Sequence, residues 1–116
     1  MKISINFILV NVCLLFFSFS SVVEAATDEK ELFVVAQRAF EDGFYDVSLR
    51  YVAQLFQEYP NPERYVETKL LEGQCYFFKK EYLRAFNVFK ELVNKDTYLD
   101  ASLFWLGETY LKGGDF

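Results

Sequence analysis

The chain has 116 residues, 53% hydrophobic and 20% aromatic, with a formal net charge of −5 and no histidine. That length supplies one small domain. An acidic chain without a basic stripe excludes nucleic acid as a partner class and disfavours anionic membrane surfaces. Without histidine the usual activating base of a nucleophile is missing, and no pair of carboxylates stands out for acid–base work, so the chain is expected to be no enzyme.

The N-terminus opens on Lys2 and an apolar run from Phe7 to Phe19, broken by Asn11 and Ser18, before Val22-Val23-Glu24-Ala25-Ala26. A basic start, a short apolar core and small residues at Val23 and Ala25 predict a secretory signal over residues 1–25, cut after Ala25. The competing reading is an uncleaved membrane anchor, since Ile3 to Val23 is nearly long enough to span a bilayer. Cys13 follows Val10-Asn11-Val12 inside the apolar run, so it makes no lipoprotein site. Cleavage would leave 26–116 with 11 basic and 16 acidic side chains, and Cys75 as the one cysteine. No disulfide within the chain is then expected, and stability must come from packing.

Thr27-Asp28-Glu29-Lys30-Glu31 supplies cap residues and acids for a first helix. Leu32, Val35, Ala36, Ala39 and Phe40 form its apolar stripe, and Gly43 is its left-handed stop. A second helix runs from about Tyr45, with Val52, Leu55, Phe56 and Tyr59 on one side, until Pro60 disfavours helical geometry at Tyr59. Asn61 and Pro62 read as the cap and first position of a third helix, predicted over 62–79. Its residues are apolar nearly all round, as suits a helix flanked on both sides. Lys79-Lys80-Glu81 reads as a solvated turn of mixed charge. A fourth helix over 81–94 turns Tyr82, Ala85, Phe86, Phe89 and Val93 inward. Thr97-Tyr98-Leu99-Asp100 then resembles a capping box, opening a fifth helix through Leu103, Leu106 and Tyr110 that Gly113-Gly114 stops.

These helices repeat. Gly73-Gln74-Cys75-Tyr76 and Gly107-Glu108-Thr109-Tyr110 lie 34 residues apart, in a register that continues to Tyr82 and Phe116. An earlier copy sits 37 residues upstream, aligning Ala36, Gln37, Phe40, Tyr45, Val52 and Leu55 with Gly73, Gln74, Phe77, Tyr82, Phe89 and Leu92. The extra residues are expected to add a turn at the start of the third helix. Such a period marks stacked helix pairs, none of which buries its apolar face alone. Small residues at Ala36, Gly73 and Gly107, aromatics at Tyr45, Tyr82 and Phe116, small Ser48 and Ala85, and Pro60 at a repeat end together resemble the tetratricopeptide repeat. The expected fold class is therefore all-α: a tetratricopeptide-type solenoid of antiparallel helix pairs. It would hold about two and a half repeats, at 29–61, 62–96 and an incomplete 97–116.

The segment Ala101 to Tyr110, with Gly114-Asp115-Phe116, is similar to the repeat subtype of bacterial periplasmic proteins. Among these are the Tol–Pal-associated division coordinator and the outer-membrane-assembly lipoprotein. The Gln57-Glu58-Tyr59-Pro60 repeat ending has the same style, whereas the lipobox cysteine of the second and the N-terminal coiled coil of the first are missing. Lys80 and Glu72 also stand where the family usually has glycine and leucine. The resemblance implies an extracytoplasmic, periplasmic scaffold for protein–protein interaction in cell-envelope assembly or division. It implies no cofactor and no metal, and no membrane contact once the signal is cut.

In that family the first helix of each repeat lines a concave groove for a peptide or partner helix. Carried over by alignment, the groove residues are Phe33, Gln37 and Phe40, with Lys30 and Glu41. The second repeat adds Leu70, Gln74, Phe77 and Phe78, with Glu67, and the third Phe104, Glu108 and Leu111, with Ala101 and Lys112. Two readings compete for the aromatics: anchors for a partner, or packing between repeats. Cys75 reads as a small buried hydrophobe near a helix crossing, against the alternative of a redox thiol. The fifth helix carries Leu103, Phe104, Trp105, Leu106, Tyr110 and Leu111 with no polar outer face. The sequence is thus expected to be a fragment of a longer array, or to self-associate through that helix. A third possibility is the adaptor region of a larger protein with catalysis encoded beyond residue 116.

Overall fold

The computed structural model describes residues 27–95 and 99–114. Among them are five α-helices and no strand: α1 (Glu29–Glu41), α2 (Tyr45–Glu58), α3 (Tyr65–Phe78), α4 (Tyr82–Val93) and α5 (Leu99–Gly113). The predicted signal segment, the capping sequence at Thr97 and Tyr98, and Phe116 lie outside the described residues. No helix among the described residues is long and apolar enough to cross a membrane.

The tight turns follow from backbone chemistry. At the end of α1, the Gly43 amide donates to Phe40 O (2.9 Å) and the Phe44 amide to Ala39 O (2.8 Å). Gly43 has φ +81°. This paired arrangement satisfies carbonyls that the helix end would otherwise orphan, and it needs a left-handed residue. The turn after α3 copies it: Lys80 donates to Phe77 O and Glu81 to Tyr76 O, each at 2.9 Å. Lys80 takes the left-handed place with φ +62°, and Gly114 occupies it again after α5 with φ +76°. A lysine there is strained by its Cβ. Lys80→Gly is therefore expected to raise stability by about 0.5–1 kcal/mol, read as a higher urea midpoint; an unchanged or lower midpoint would count against stored strain.

Each helix buries one stripe. Leu32, Phe33, Ala36, Val52, Leu55 and Leu71 form a continuous core where α1, α2 and the side of α3 meet. The buried Ser48 hydroxyl donates to the Ala36 carbonyl across the α1–α2 crossing at 2.8 Å, which closes the gap between two small residues. At the corresponding α3–α4 crossing no hydrogen bond is needed. Gly73 lacks a Cβ, and the Phe89 ring fills that space; a Cβ built there would lie 2.5 Å from Phe89 Cε1. Ala85, Val88, Phe89 and Leu92 complete the buried face of α4.

Packing runs between chain neighbours, α1 on α2, α2 on α3, α3 on α4 and α4 on α5. Alternate helices also touch, α1 with α3 and α3 with α5. The first helices of the pairs, α1, α3 and α5, thus stand in one row, an architecture compatible with a solenoid.

Three expectations need correction. The third helix begins at Tyr65, capped by Arg64, and not at Pro62. Pro62 is buried in the linker, which forms a turn before the helical ladder opens with Thr68 N–H donating to Arg64 O at 2.9 Å. The longer first repeat consequently adds no turn to α3; part of its surplus lies in α2, which has 14 residues against 12 in α4. Finally, the Lys79–Glu81 turn is more than a solvated loop. Lys79 Nζ lies 2.6 Å from Asp46 and 3.0 Å from Glu81, so it ties the start of α2 to the second turn.

Candidate interaction site

The residues aligned with a groove stand on α1, α3 and α5, which touch in sequence, but they do not share one environment. Phe33 is buried in the core with the Arg64 guanidinium 5.2 Å from its ring centroid. Gln37 is exposed and donates to Glu41 at 3.2 Å. Leu70, Gln74 and Glu108 are half-buried, and Leu111 is exposed.

The aromatics are brought together. Phe40 lies 5.6 Å from Tyr45 and 5.7 Å from Phe78, and Tyr45 stacks on Phe78 at 5.6 Å with 14° between planes. Phe78 meets Phe77 edge-on at 5.4 Å, and Phe77 meets Tyr82 at 5.6 Å and Trp105 at 5.3 Å. Trp105 also touches Phe78 (5.9 Å) and Phe104 (5.4 Å), and it stacks on Phe89 at 6.0 Å. One chain of rings therefore crosses from α1 to α5. Phe40 and Phe77 are half-buried inside it, while Phe78 and Phe104 are 45% and 59% exposed at its edge. Offset and edge-to-face contacts of this kind hold rings in place. The exposed pair offers rigid apolar surface to a second molecule at little entropic cost.

Trp105 is the junction: the sequence pattern puts it and Leu106 on an uncovered outer face of the fifth helix, whereas both are half-buried. The family alignment places Phe104 and Glu108 in the groove and skips the residue between α5 and its neighbours. The available signal was the single tryptophan two residues before Gly107.

Cys75 is fully buried, and burial pushes its thiol above the ordinary 9.0, partly offset by a hydrogen bond with Ser48. Among the described residues no three of His, Cys, Asp and Glu gather as a metal site.

The other displaced groups also move upward. Tyr65, which donates to Glu91 at 2.8 Å, is raised above 10.0 by that hydrogen bond and then by burial. Burial pulls Lys69 down, but Glu72 at 3.1 Å outweighs it and lifts the ammonium above 10.5. Hydrogen bonds to Asp46 and then Glu81 raise Lys79 above 10.5 as well. In each case the folded chain holds its proton more tightly than the unfolded chain. The resulting stability is complete below the unfolded value and is lost as pH rises through the folded one. The urea midpoint is expected to stay flat from neutral pH to about pH 8.5 and then fall, first with Cys75 and later with Tyr65, Lys69 and Lys79. Cys75→Ala should delay the onset of that fall. A midpoint that rises above about pH 9 would contradict the assignment.

Comparison with protein-family models, with curated proteins and with solved structures finds no match to this chain.

Proposed function

We propose that the chain is an extracytoplasmic scaffold of tetratricopeptide-repeat type that holds a protein or peptide along the row formed by α1, α3 and α5. The observation that carries the reading is the chain of rings from Phe40 to Phe104, which links all three helices and leaves Phe78 and Phe104 exposed. The repeated left-handed turn at Gly43, Lys80 and Gly114 supports the repeat assignment, since its spacing matches that of the sequence copies. Interfaces concentrate binding energy in a few aromatic anchors set among polar groups, and Gln37 and Gln74 stand three residues before Phe40 and Phe77 on their helices. The apolar N-terminal run and the Ala-ending site after it support export, and the resemblance to periplasmic repeats supports a role in envelope assembly or division.

Two measurements test these parts separately. Photo-crosslinking groups placed at Gln37 or Gln74 should capture a discrete partner in cells, whereas one at Arg50 on the outer helix α2 should not. Phe78→Ala should remove the adduct without loss of helical content. Equal capture at Arg50, or capture that survives Phe78→Ala, would reject the groove. An alkaline phosphatase fused after Phe116, which needs an oxidising compartment for its disulfides, should be active if the chain is exported. An inactive fusion would reject the compartment and leave the groove untouched.

A further inference from the structure

Two places in the repeat register break its apolar pattern. Lys69 and Glu72 align with Leu32 and Val35 in the first copy and with Leu103 and Leu106 in the third. Where those copies carry apolar side chains, the middle one carries an ion pair, Lys69 Nζ to Glu72 Oε2 at 3.1 Å, its side chains only 20% and 18% exposed. Replacing a pair of this kind by apolar residues is often neutral or stabilising, so stability alone does not explain it. Tyr65, Lys69, Glu72 and Tyr76 follow i, i+4, i+7, i+11 spacing and form one stripe of α3. At 3.6 residues per turn that stripe lies on the side of the helix opposite Leu70, Gln74 and Phe77 of the groove. Together with Ala53 and Phe56 of α2 it lines an open pocket of about 310 Å³, at the lower end of the range for small-molecule sites.

We propose that this pocket binds a neutral pyranose ring, with the Lys69–Glu72 pair holding two neighbouring hydroxyls and the α2 wall taking the C–H face of the ring. The charges around the pocket are matched. Lys69 meets Glu72, and Arg84, 5.7 Å from the Tyr76 ring centroid, meets Glu81 at 3.3 Å. Tyr65 joins Lys95, 5.0 Å from its ring centroid, to Glu91, which accepts from its hydroxyl at 2.8 Å. A charged ligand would leave one member of a half-buried pair without its partner, which is costly. A hydroxyl both donates and accepts, whereas an ammonium only donates and a carboxylate only accepts. Adjacent ring hydroxyls therefore fit the pair, one donating to Glu72 and the other accepting from Lys69, and the charge balance is kept. Hydrogen bonds to such charged groups are the stronger kind. The C–H face needs apolar surface, which Ala53 and Phe56 supply. Because the pocket is open, the remaining hydroxyls stay in water.

The test titrates the full chain with methyl α-glucopyranoside and follows its amide resonances. Saturable shifts confined to 53–56 and 65–76 are expected, with a Kd of about 1 mM for a ligand of this size. Glucosamine and glucuronate, charged forms of the same ring in slightly acidic buffer, should bind about tenfold more weakly. Lys69→Leu with Glu72→Val, the residues of the first copy, should lose the shifts while the urea midpoint stays or rises. Ala53→Trp, on the exposed wall, fills the pocket and should lose them with the ion pair intact. Maltotriose separates two sources of the ring: binding about tenfold tighter assigns a glycan chain and equal binding a single sugar, and either supports the pocket. Absence of saturable shifts with methyl α-glucopyranoside would overturn the proposal. So would a charged ring that binds as well as the neutral one, shifts that survive either variant, or a midpoint lowered by the double change.

Discussion

Replacing Gly73 with alanine is expected to lower stability by about 1–2 kcal/mol, although alanine is the better helix former by about 1 kcal/mol. The reason is the fully buried Phe89 ring. A Cβ at residue 73 would lie 2.5 Å from Cε1 and 2.7 Å from Cζ, closer than carbon atoms approach. The ring cannot swing away freely, because Trp105 stacks on it at 6.0 Å. Gly73→Val adds two more methyl groups at the same contact, and a loss of about 3 kcal/mol or more is expected. Urea unfolding followed by far-ultraviolet circular dichroism measures both. Two controls isolate the cause. Gly107→Ala, at the corresponding place in the next repeat, has open space around its Cβ and should stabilise the chain by about 1 kcal/mol. Phe89→Leu placed together with Gly73→Ala should recover much of the loss, because the shorter side chain leaves room for the new methyl group. If the two glycines respond alike, the close approach at Gly73 is not what the position serves.

That contrast also shows what could be read from the residues alone. The helices announce themselves by apolar spacing and turn chemistry: Leu32, Ala36 and Ala39 recur at helical intervals, and Gly43 ends the segment where a left-handed residue is needed. Buried Cys75 follows from the repeat register, which sets it near a helix crossing, whereas the approach of the Phe89 ring to Gly73 does not, since the register aligns Gly73 only with other small residues. Other features depend on distances that no spacing encodes. Pro62 looks like a helix start because proline suits a first turn, yet tertiary packing buries it in the linker and delays α3 to Tyr65. Lys79 looks like a solvated side chain until the fold brings Asp46, 33 positions earlier, to 2.6 Å. Phe33 and Phe78 are both carried into the groove by the alignment of first helices. One is buried under Arg64 and the other stands half open at the edge of the ring chain, because their neighbours differ.

Trp105 should prove to be the attachment point of α5. It touches Phe77, Phe78 and Phe89, so one side chain joins α5 to both α3 and α4. The fully buried positions beside it are Ser102 and Thr109, whose hydroxyls have no hydrogen-bond partner among the described residues. Such groups contribute little to docking and carry a desolvation cost. Trp105→Ala is accordingly expected to cost about 3–4 kcal/mol, near the range for a large aromatic removed from a packed site. Loss of that size should not spread evenly. The α1–α2 pair keeps its own core of Leu32, Ala36, Val52 and Leu55, which Trp105 does not touch. Amide hydrogen exchange should therefore accelerate along α5 and the exposed flank of α4, while protection at residues 32–40 remains, as for a locally opened unit. Trp105→Phe retains a ring for Phe77 and Phe89 and should lose far less. Uniform loss of protection from α1 to α5 would mean that the five helices unfold as one unit. Unchanged exchange in α5 would mean that contacts other than this ring hold it in place.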